Sequence, residues 1–453
     1  MAVRQVSPAV LSRAEPRLGA RLHAVVFMAG TGTLATEIAA SRLLAPYFGS
    51  STIVWANIIG LILVYLSVGY WLGGKLADRR PEPRLLGAIV AVAAVVIAAT
   101  PFVARPILDL AIEGLDAVAV GAVVGSFFAA LALFAVPVTL LGAVSPFAIR
   151  LALADVEEAG TVAGRLYALS TVGSILGTFL SALVAIPLVG TQRTMLASAA
   201  LLVLAAALLL GLRWQLLTIF VAALAFVPAG TIKATPGLVH EGESSYQYIQ
   251  VVERDDGSRV LRLNEGVAVH SLWRRDSVLT GGVWDTFLLL PPLVGRPVER
   301  MLVIGNAGGT VARAYGELYP DVRIDGVEID PEVSEAGRRY LGLGENPNLT
   351  VIEADGRPYL ELTDERYDVI VVDAYHQPYI PFYLATKEFF ALTRERLEPG
   401  GVVALNVAGV PGDERLPTAI GTSVLAAFPQ AWRWRPLRFN ELLLAFDRPV
   451  AAE

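Results

Sequence analysis

The chain contains no cysteine, and only 17% of its residues are charged. Without thiols it cannot form disulfides, bind zinc through cysteine or use a cysteine nucleophile. A chain without cysteine is compatible with either side of a membrane, so the redox compartment stays undetermined. Soluble domains usually carry about 25% charged residues. The scarcity of charge, together with a hydrophobic content of 55%, therefore argues against a single soluble globule.

The charges that are present divide the chain into two halves. Residues 1–235 carry 15 Lys and Arg against 10 Asp and Glu, whereas residues 236–453 carry 21 against 32. A hydrophobic, weakly basic half is therefore followed by a polar, acidic half. Because nucleic-acid binding normally needs a basic surface, the acidic half argues against a nucleic-acid partner.

Several uncharged stretches of the first half are long enough to cross a bilayer, which needs about 20 apolar residues in a helix. They predict six membrane spans near 22–41, 53–74, 85–104, 118–141, 166–189 and 194–212, and the apolar run at 215–229 is a candidate seventh. We therefore predict a cytoplasmic tail over residues 1–21 and a membrane domain of six or seven helices over residues 22–232, with the lipid bilayer as its partner.

The short loops predict the orientation, since cytoplasmic loops carry an excess of lysine and arginine. Four such residues precede the first span and four follow the second, namely Arg4, Arg13, Arg17, Arg21, Lys75, Arg79, Arg80 and Arg84. Both segments are expected in the cytoplasm, which predicts a multi-pass protein of the cell (inner) membrane. Six spans return the chain to the cytoplasm, and a seventh would leave the second half outside.

Glu37 is the one acid inside a predicted span. Ionisable groups within a membrane are costly and often functional, so Glu37 is a candidate site for a cationic amine or a proton. The alternative is a structural pair with Arg42 or with a backbone group of a neighbouring helix. The loop at 73–80 (GGKLADRR) resembles the loop between the second and third helices of major facilitator transporters. Six helices would correspond to half of such a transporter.

The second half shows the pattern of an α/β domain. Two alternating segments at 245–253 and 259–264 flank an Asp-Asp-Gly turn, which predicts a β-hairpin in a region at 237–295. Strand and helix patterns alternate after it, which predicts a mostly parallel sheet covered on both faces. The predicted strands are 301–305, 322–328, 349–353, 367–373, 402–407 and 442–446.

Polar or glycine residues follow four of these strands. Gly305 opens a glycine-rich strand-to-helix turn (GNAGGT), and Glu328 ends the second strand. Asp355-Gly356 follow the third strand, and Asp373 ends the fourth. Open α/β sheets bind ligands at the carboxyl ends of their strands, and an acid at the position of Glu328 can accept both hydroxyls of a ribose. The sequence therefore predicts an adenosyl-binding edge.

Residues 243–410 resemble the spermidine synthase family of aminopropyltransferases. The matching segments are 243–247 (ESSYQ), the turn at Gly305, 327–331 (VEIDP), 355–356 (DG), 367–373 (YDVIVVD) and 386–390 (TKEFF). With the helices in front, the whole chain resembles bacterial proteins in which a membrane domain is fused to a spermidine synthase-like domain. The expected fold class is thus a polytopic α-helical membrane domain followed by a small β-hairpin region and, over 296–453, a Rossmann-like, methyltransferase-type α/β domain.

The resemblance implies a role for each matching residue. Glu328 would hold the ribose hydroxyls and Asp355 the adenine amino group, while Asp373 matches the acid that removes a proton from the attacking amine. The expected cofactor contacts are Gly305, Gly308, Gly309, Glu328, Asp355 and Gly356. The expected catalytic and substrate contacts are Asp373 and His376, and Tyr246, Gln247, His270, Asp285 and Tyr375. Asp373 as a strand-end cap and His376 as an ordinary loop residue are the structural alternatives.

Five positions depart from the family pattern. Gly308 stands where the family has an aspartate that grips the donor amine, and His376 where it has an aspartate that helps to bind the diamine. His270 replaces a usual glutamine, and Trp284-Asp285 replaces a Tyr-Gln pair. Adenosyl binding is therefore expected to be retained, and diamine recognition to be mostly lost.

The expected function is transfer of an aminopropyl group to an amine or polyamine, from S-adenosylmethionine or its decarboxylated form, with Asp373 as general base. One alternative is a methyltransferase with a membrane-delivered substrate, and another is a polyamine transporter or sensor whose second half binds adenosyl ligands without turnover. His240 and His270 lack partners at ligand spacing, so no metal is expected. Supply of the donor favours a cytoplasmic second half, and the sequence leaves a homodimer open.

Overall fold

The computed structural model describes residues 15–49, 51–113, 121–153, 156–266, 268–375, 380–409 and 411–450. The chain divides into two compact units, Met1–Ala234 and Thr235–Glu453. Among the sequence-predicted features, His376, residues 1–14 of the tail and residues 118–120 of the fourth span lie outside the described residues.

The first unit is built from α-helices. They are α1 Glu15–Phe48, α2 Thr52–Arg79, α3 Pro83–Glu113, α4 Gly121–Gly142, α5 Val144–Ala152, α6 Ala159–Leu180, α7 Ile186–Leu210 and α8 Gln215–Ala223. A π-helical turn, Ser181–Ala185, connects α6 to α7. The helices are rich in alanine, leucine and valine and nearly free of charge, so their side chains suit an apolar environment on all sides.

Within the described residues, five helical segments are long and apolar enough to cross a membrane: Gly19–Phe48, Thr52–Arg79, Pro83–Ile112, Val124–Ala152 and Ala159–Leu210. The last has 52 residues, which as one helix would extend about 78 Å, far beyond the bilayer core of about 30 Å. Gly190 interrupts it with φ 83° and ψ 166°, a conformation that essentially only glycine adopts. The predicted fifth and sixth spans therefore lie in one segment that breaks at Gly190.

The candidate seventh span at 215–229 is not among these five segments. Its helical part, Gln215–Phe226, belongs to the shorter apolar helices, and at about 1.5 Å per residue it is only about 18 Å long. Val227 already has extended backbone angles (φ −85°, ψ 124°). Pro228 follows it, and the residue before a proline disfavours helical geometry, which explains why the helix ends there.

Glycines bring the helices of the first unit into close contact. A Cβ at Gly173 would collide with the carbonyl oxygen of Phe27, and one at Gly177 with that of Thr31, so α6 touches the backbone of α1. The C-terminal ends of α2 and α5 also meet, since Nε of Arg150 lies 3.3 Å from Oδ1 of Asp78. The small residues of the fifth predicted span thus serve helix packing.

The second unit begins with a four-stranded antiparallel sheet in the order β1-β2-β3-β4. Its strands are β1 Leu238–Glu243, β2 Tyr248–Glu253, β3 Arg259–Leu263 and β4 Val269–Trp273. The predicted hairpin is β2–β3, closed by a hydrogen bond from Arg254 N to Ser258 O at 2.8 Å. Gly257 supplies the positive φ of 75° that the turn requires.

A seven-stranded sheet follows, in the order β10-β11-β9-β8-β5-β6-β7. Its strands are β5 Arg300–Ile304, β6 Arg323–Glu328, β7 Leu349–Glu353, β8 Tyr367–Val372, β9 Leu397–Ala408, β10 Gln430–Trp434 and β11 Asn440–Phe446. Strands β5 to β9 pair in parallel, whereas β10 and β11 join antiparallel. The helices of this unit are α9 Leu290–Val294, α10 Thr310–Leu318, α11 Pro331–Tyr340, α12 Gly356–Leu362, α13 Lys387–Glu395 and α14 Arg415–Leu425.

The sheet is buried on both faces. Met301 and Val303 of β5 belong to one apolar cluster, and Leu302 and Ile304 belong to another on the opposite face. This two-sided burial explains why the strands are continuous apolar runs in the sequence. The predicted fold class, a helical region followed by a Rossmann-like α/β domain, is confirmed; β1, β4 and β10 were not predicted.

Strand order reverses between β5 and β8. The chain proceeds from β5 to β6 and β7 on one side, then returns to add β8 and β9 on the other. The chain therefore leaves β5 and β8 towards opposite sides of the sheet, and sheets of this kind bind ligands at such a point, at the carboxyl ends of the strands.

Candidate active site

A cavity of about 700 Å³ lies in the second unit at these strand ends. Its wall includes residues from the ends of β5, β6 and β8, from β9 and from the small antiparallel sheet. Nine of the sequence-predicted site residues line it: Tyr246, Gln247, His270, Gly305, Glu328, Asp355, Gly356, Asp373 and Tyr375. The structure thus brings together most of the side chains that the strand-end pattern selected.

Glu328 is held firmly at the end of β6. Its side chain is only 7% exposed, and its two oxygens accept hydrogen bonds from Ala307 N at 2.9 Å and Asp330 N at 3.1 Å. Burial raises the pKa of Glu328 to about 7, against the lowering effect of these backbone donors. A ligand hydroxyl that donates to this carboxylate would therefore favour its ionised form.

Two glycines let the backbone approach the same region. Gly305 has φ 85°, and a Cβ there would lie 2.6 Å from the carbonyl oxygen of Asp373, so the loops after β5 and β8 meet in contact. A Cβ at Gly356 would collide with Ile304. Asp355 precedes it as the N-cap of α12, and its carboxylate accepts a hydrogen bond from Arg357 N at 3.1 Å. A side chain at either glycine would therefore force these neighbouring segments apart.

Asp373 carries its carboxylate between two neutral donors. Oδ2 accepts a hydrogen bond from the indole N–H of Trp284 at 3.1 Å, and Oδ1 accepts one from the side-chain amide of Asn406 at 2.8 Å. Burial raises the pKa of Asp373 to about 6, while the two hydrogen bonds act in the opposite direction. A carboxylate with a pKa near the working pH can exchange a proton with a substrate.

His270 and Tyr375 complete this part of the wall. Nε2 of His270 is buried without a hydrogen-bond partner in the described part of the chain. Burial lowers the pKa of His270 to about 4, so the ring is neutral at pH 7. The hydroxyl of Tyr375 donates to the carbonyl oxygen of Asn406 at 2.7 Å and accepts from Ala408 N at 2.6 Å, which fixes the ring against β9.

Three predicted residues do not line the cavity. Gly308 N donates to Oγ of Ser271 at 2.7 Å, and Gly309 is the left-handed N-cap of α10, packed against Leu343. Asp285 turns back to the 280–282 turn, where its carboxylate accepts hydrogen bonds from Thr280 N at 2.9 Å and from Gly281 N at 2.7 Å. The carboxylate of Asp285 is therefore used within its own turn.

Sequence reasoning missed Asn406 and Asn440. Asn406 interrupts the apolar strand β9, where its burial to 4% exposure marks it as unusual. Asn440 opens β11 opposite Ala408, and its amide donates to Oδ1 of Asn406 at 3.1 Å. A polar residue inside an otherwise apolar strand is the signal that could have found Asn406.

The membrane candidate Glu37 lies in the other unit, on α1. Its Oε1 is buried and has no hydrogen-bond partner among the residues that the structure describes. Glu37 therefore remains a candidate for binding a proton or an amine within the helical unit.

Comparison with known proteins relates the second unit to one family. Residues 291–412 match the spermine/spermidine synthase domain. A probable polyamine aminopropyl transferase of Bifidobacterium longum is 36% identical over 192 residues, which cover 42% of each chain. The polyamine aminopropyltransferase of Vibrio vulnificus is 34% identical over 175 residues, 37% of this chain and 58% of the relative. The chain thus spans about half the length of these curated relatives.

Solved structures of spermidine synthases are also among the matches. A probable spermidine synthase from Corynebacterium glutamicum matches with a TM-score of 0.42 and 19% identity, over 48% of this chain and 82% of the other. The spermidine synthase of Thermotoga maritima matches with a TM-score of 0.37 and 20% identity, over 47% and 73%. From the sequence matches, the second unit is spermidine synthase-like, and residues 291–412 are the part that matches the spermine/spermidine synthase domain.

Proposed function

We propose that the chain is a membrane-inserted aminopropyltransferase that uses decarboxylated S-adenosylmethionine as donor and an amine as acceptor. The observation that carries the proposal is that Glu328, Asp355 and Asp373 share one cavity at the carboxyl ends of parallel strands. The names of the relatives, which are polyamine aminopropyltransferases, support the same class of reaction.

The acids of the cavity suit an adenosyl donor. Glu328 would accept the two ribose hydroxyls, since its buried oxygens lie at the end of β6, and Asp355 would accept the adenine amino group. Among the described cavity residues the charged groups are these three carboxylates, with no lysine or arginine. A cationic sulfonium is favoured there, whereas the α-carboxylate of ordinary S-adenosylmethionine would find no cation. This charge pattern favours the decarboxylated donor.

The transfer is a substitution at the carbon that joins the propyl chain to sulfur. The lone pair of the amine attacks this carbon, a C–N bond forms, the C–S bond breaks, and its electron pair leaves on sulfur, which gives neutral methylthioadenosine. The amine loses one proton, which Asp373 accepts. An amine is a nucleophile only when unprotonated, so a carboxylate at the reacting atom both receives the proton and stabilises the developing positive charge.

The apolar helices support insertion of the first unit in the cell membrane. Five segments have the length and composition of membrane spans, and the basic residues at 75–84 favour a cytoplasmic position for that loop. With the supply of the donor in the cytoplasm, the proposal places the catalytic unit on the cytoplasmic side.

The packing around Gly308 favours a second candidate, a methyltransferase that uses S-adenosylmethionine. Gly308 presents no carboxylate that would oppose the α-carboxylate of S-adenosylmethionine, and a Cβ at this position would meet Leu341 and Ser271. The two candidates differ in which thioether product they bind more tightly. An aminopropyltransferase binds methylthioadenosine more tightly, and a methyltransferase binds S-adenosylhomocysteine more tightly.

The test uses the full chain in lipid nanodiscs. Decarboxylated S-adenosylmethionine is supplied with amines, and methylthioadenosine and the alkylated amine are quantified by mass spectrometry. The wild type is expected to form both in equal amounts, and Asp373→Asn is expected to lose turnover while it still binds methylthioadenosine in calorimetry. Failure of the wild type to bind any adenosyl sulfonium or thioether would contradict the proposal.

A further inference from the structure

The cavity continues past Asp373, on the side away from Glu328 and Asp355. This acceptor end lies across β8, β9 and β11, because Asp373 follows β8, Asn406 is in β9 and Asn440 opens β11. The residues that line it beyond these are Val283, Trp284, Leu437 and Phe439. If the proposed function holds, an acceptor amine that attacks near Asp373 extends its other end into this region.

Four polar side chains of the acceptor end form hydrogen bonds with one another. Asn440 donates to Asn406 at 3.1 Å, Asn406 donates to Asp373 at 2.8 Å, and Trp284 donates to Asp373 at 3.1 Å. Asp373 keeps lone pairs for one amine nitrogen, whereas the amides serve chiefly to hold its carboxylate. Nε2 of His270 also lines the cavity and has no hydrogen-bond partner in the described part of the chain, but burial lowers the pKa of His270 to about 4 and its ring is neutral at pH 7. Among these groups Asp373 is therefore the one charged group that can pair with an ammonium.

Among the described residues that line the cavity, Asp373 is the one acid at the acceptor end. The described cavity residues contain three acids, of which Glu328 and Asp355 lie at the β6–β7 side. The structure does not describe residues 267, 376–379 and 410, whose sequence is Val, His-Gln-Pro-Tyr and Val and contains no carboxylate. Asp285 is nearby in sequence but caps its own turn.

The mouth of the cavity is apolar as well. Phe439, which lines the acceptor end, exposes 56% of its surface, and two further rings of the cavity wall, Phe382 and Tyr246, expose 82% and 46%. Exposed rings of this size are costly in water unless an apolar ligand covers them. An ammonium group at the far end of an acceptor would lie against Leu437 and Phe439 without a counter-ion, and removing an unpaired charge from water is strongly unfavourable.

We infer that the acceptor is a primary amine with an apolar far end, an alkyl or aryl monoamine, rather than a diamine. The inference rests on the proposed aminopropyl transfer and specifies its acceptor class. The amine nitrogen lies at Asp373, and the apolar chain extends along Val283 and Leu437 towards Phe439.

The experiment compares two amines that have the same number of non-hydrogen atoms, n-hexylamine and cadaverine, in which the terminal methyl is replaced by an ammonium group. The full chain in nanodiscs receives decarboxylated S-adenosylmethionine and either amine at a measured free concentration. We expect kcat/KM for n-hexylamine to exceed that for cadaverine by at least about tenfold, since an apolar wall rejects an unpaired charge.

Substitutions at the apolar wall provide the matched control. Leu437→Asp is expected to reverse the preference towards cadaverine. Leu437→Asn introduces a polar side chain of nearly the same size and shape but without charge, and it is expected to keep n-hexylamine as the better acceptor. Phe439→Asp and Phe439→Asn repeat the comparison at a more exposed position, where the substitution is tolerated more easily. Affinity for methylthioadenosine reports whether each variant retains its folded donor site.

The outcomes separate the two proposals. Turnover with cadaverine equal to or better than with n-hexylamine would overturn the acceptor class and leave aminopropyl transfer intact. Binding of methylthioadenosine without alkylation of either amine would refute aminopropyl transfer itself, and the acceptor class with it. A preference for n-hexylamine that Leu437→Asp reverses and Leu437→Asn does not would support both.

Discussion

The indole N–H of Trp284 donates a hydrogen bond to Oδ2 of Asp373 at 3.1 Å. Together with the amide of Asn406 on Oδ1, at 2.8 Å, it stabilises the ionised carboxylate in a site where burial raises the pKa of Asp373 to about 6. Asp373 follows strand β8, and its protonation therefore depends on side chains from two other elements, the helical turn Val283–Leu289 and strand β9.

Trp284→Phe is expected to move the pH dependence of transfer. Loss of one hydrogen bond to the charged form raises the pKa of Asp373 further, and a bond of this kind is worth enough to shift it by roughly one unit. A base must be ionised, so kcat/KM falls as the pH drops through this pKa. The midpoint of the acid limb should therefore move from about pH 6 to a higher pH.

The control for this change is Trp432→Phe. Trp432 lies on β10 and packs against Phe446, away from the cavity wall. Its substitution should leave the midpoint where the wild type has it. A midpoint that stays constant in Trp284→Phe would mean that Asp373 is not the group that titrates in the reaction.

The fold follows from patterns that are local in the sequence. The apolar runs select the helices, and the alternation of strand and helix selects a parallel sheet, because both depend only on neighbouring residues. The break at Gly190 was not predicted, since a glycine between apolar residues looks the same whether a helix continues or turns. The residues of β10 (QAWRW) lack a buried-strand pattern and are partly exposed at the sheet edge.

The site was predictable where strand ends determine it. Glu328 and Asp373 end parallel strands, and such ends always meet at one edge of the sheet. Asn406 depends instead on the register of β9, which turns its side chain towards Asp373, and Asp285 depends on a local turn that consumes its carboxylate. Neither the register nor the turn can be derived from spacing alone.

Glu328 should make donor-site affinity dependent on pH. Burial raises its pKa to about 7 in the empty cavity, and ribose hydroxyls that donate to the carboxylate favour the ionised form, so binding releases a proton. The affinity for methylthioadenosine should rise with pH up to about 7 and level off above it. Calorimetry in buffers of different ionisation enthalpy measures both the affinity and the released proton.

Glu328→Gln should weaken this binding by roughly 10- to 100-fold, because hydrogen bonds to a charged acceptor are worth about 1.5–3 kcal/mol. The substitution should also remove most of the pH dependence. Glu332→Gln, at an exposed position of α11 four residues further on, is the matched control and should behave as the wild type. An unchanged pH profile in Glu328→Gln would contradict the ribose assignment.

Gly308→Asp should destabilise the second unit rather than improve donor binding. A Cβ at this position would lie 2.5 Å from Cδ1 of Leu341 and 2.9 Å from Oγ of Ser271, and Leu341 is only 3% exposed. Overpacking of this kind costs about 1–3 kcal/mol, a fall in Tm of several degrees. Gly344→Asp has open space around its Cβ and should change Tm little. Tighter binding of the decarboxylated donor by Gly308→Asp would show that this position faces the ligand.

The close contact between α1 and α6 can be tested with two Gly→Ala substitutions. Alanine favours a helix over glycine by up to about 1 kcal/mol at both sites, so only the surroundings differ. A Cβ at Gly177 would collide with the carbonyl oxygen of Thr31, whereas a Cβ at Gly60 on α2 has no atom within 4 Å. Gly60→Ala should therefore be neutral or stabilising, and Gly177→Ala should separate the helices and lower the Tm of the full chain in nanodiscs. Equal melting of the two variants would mean that α1 and α6 do not pack backbone to backbone.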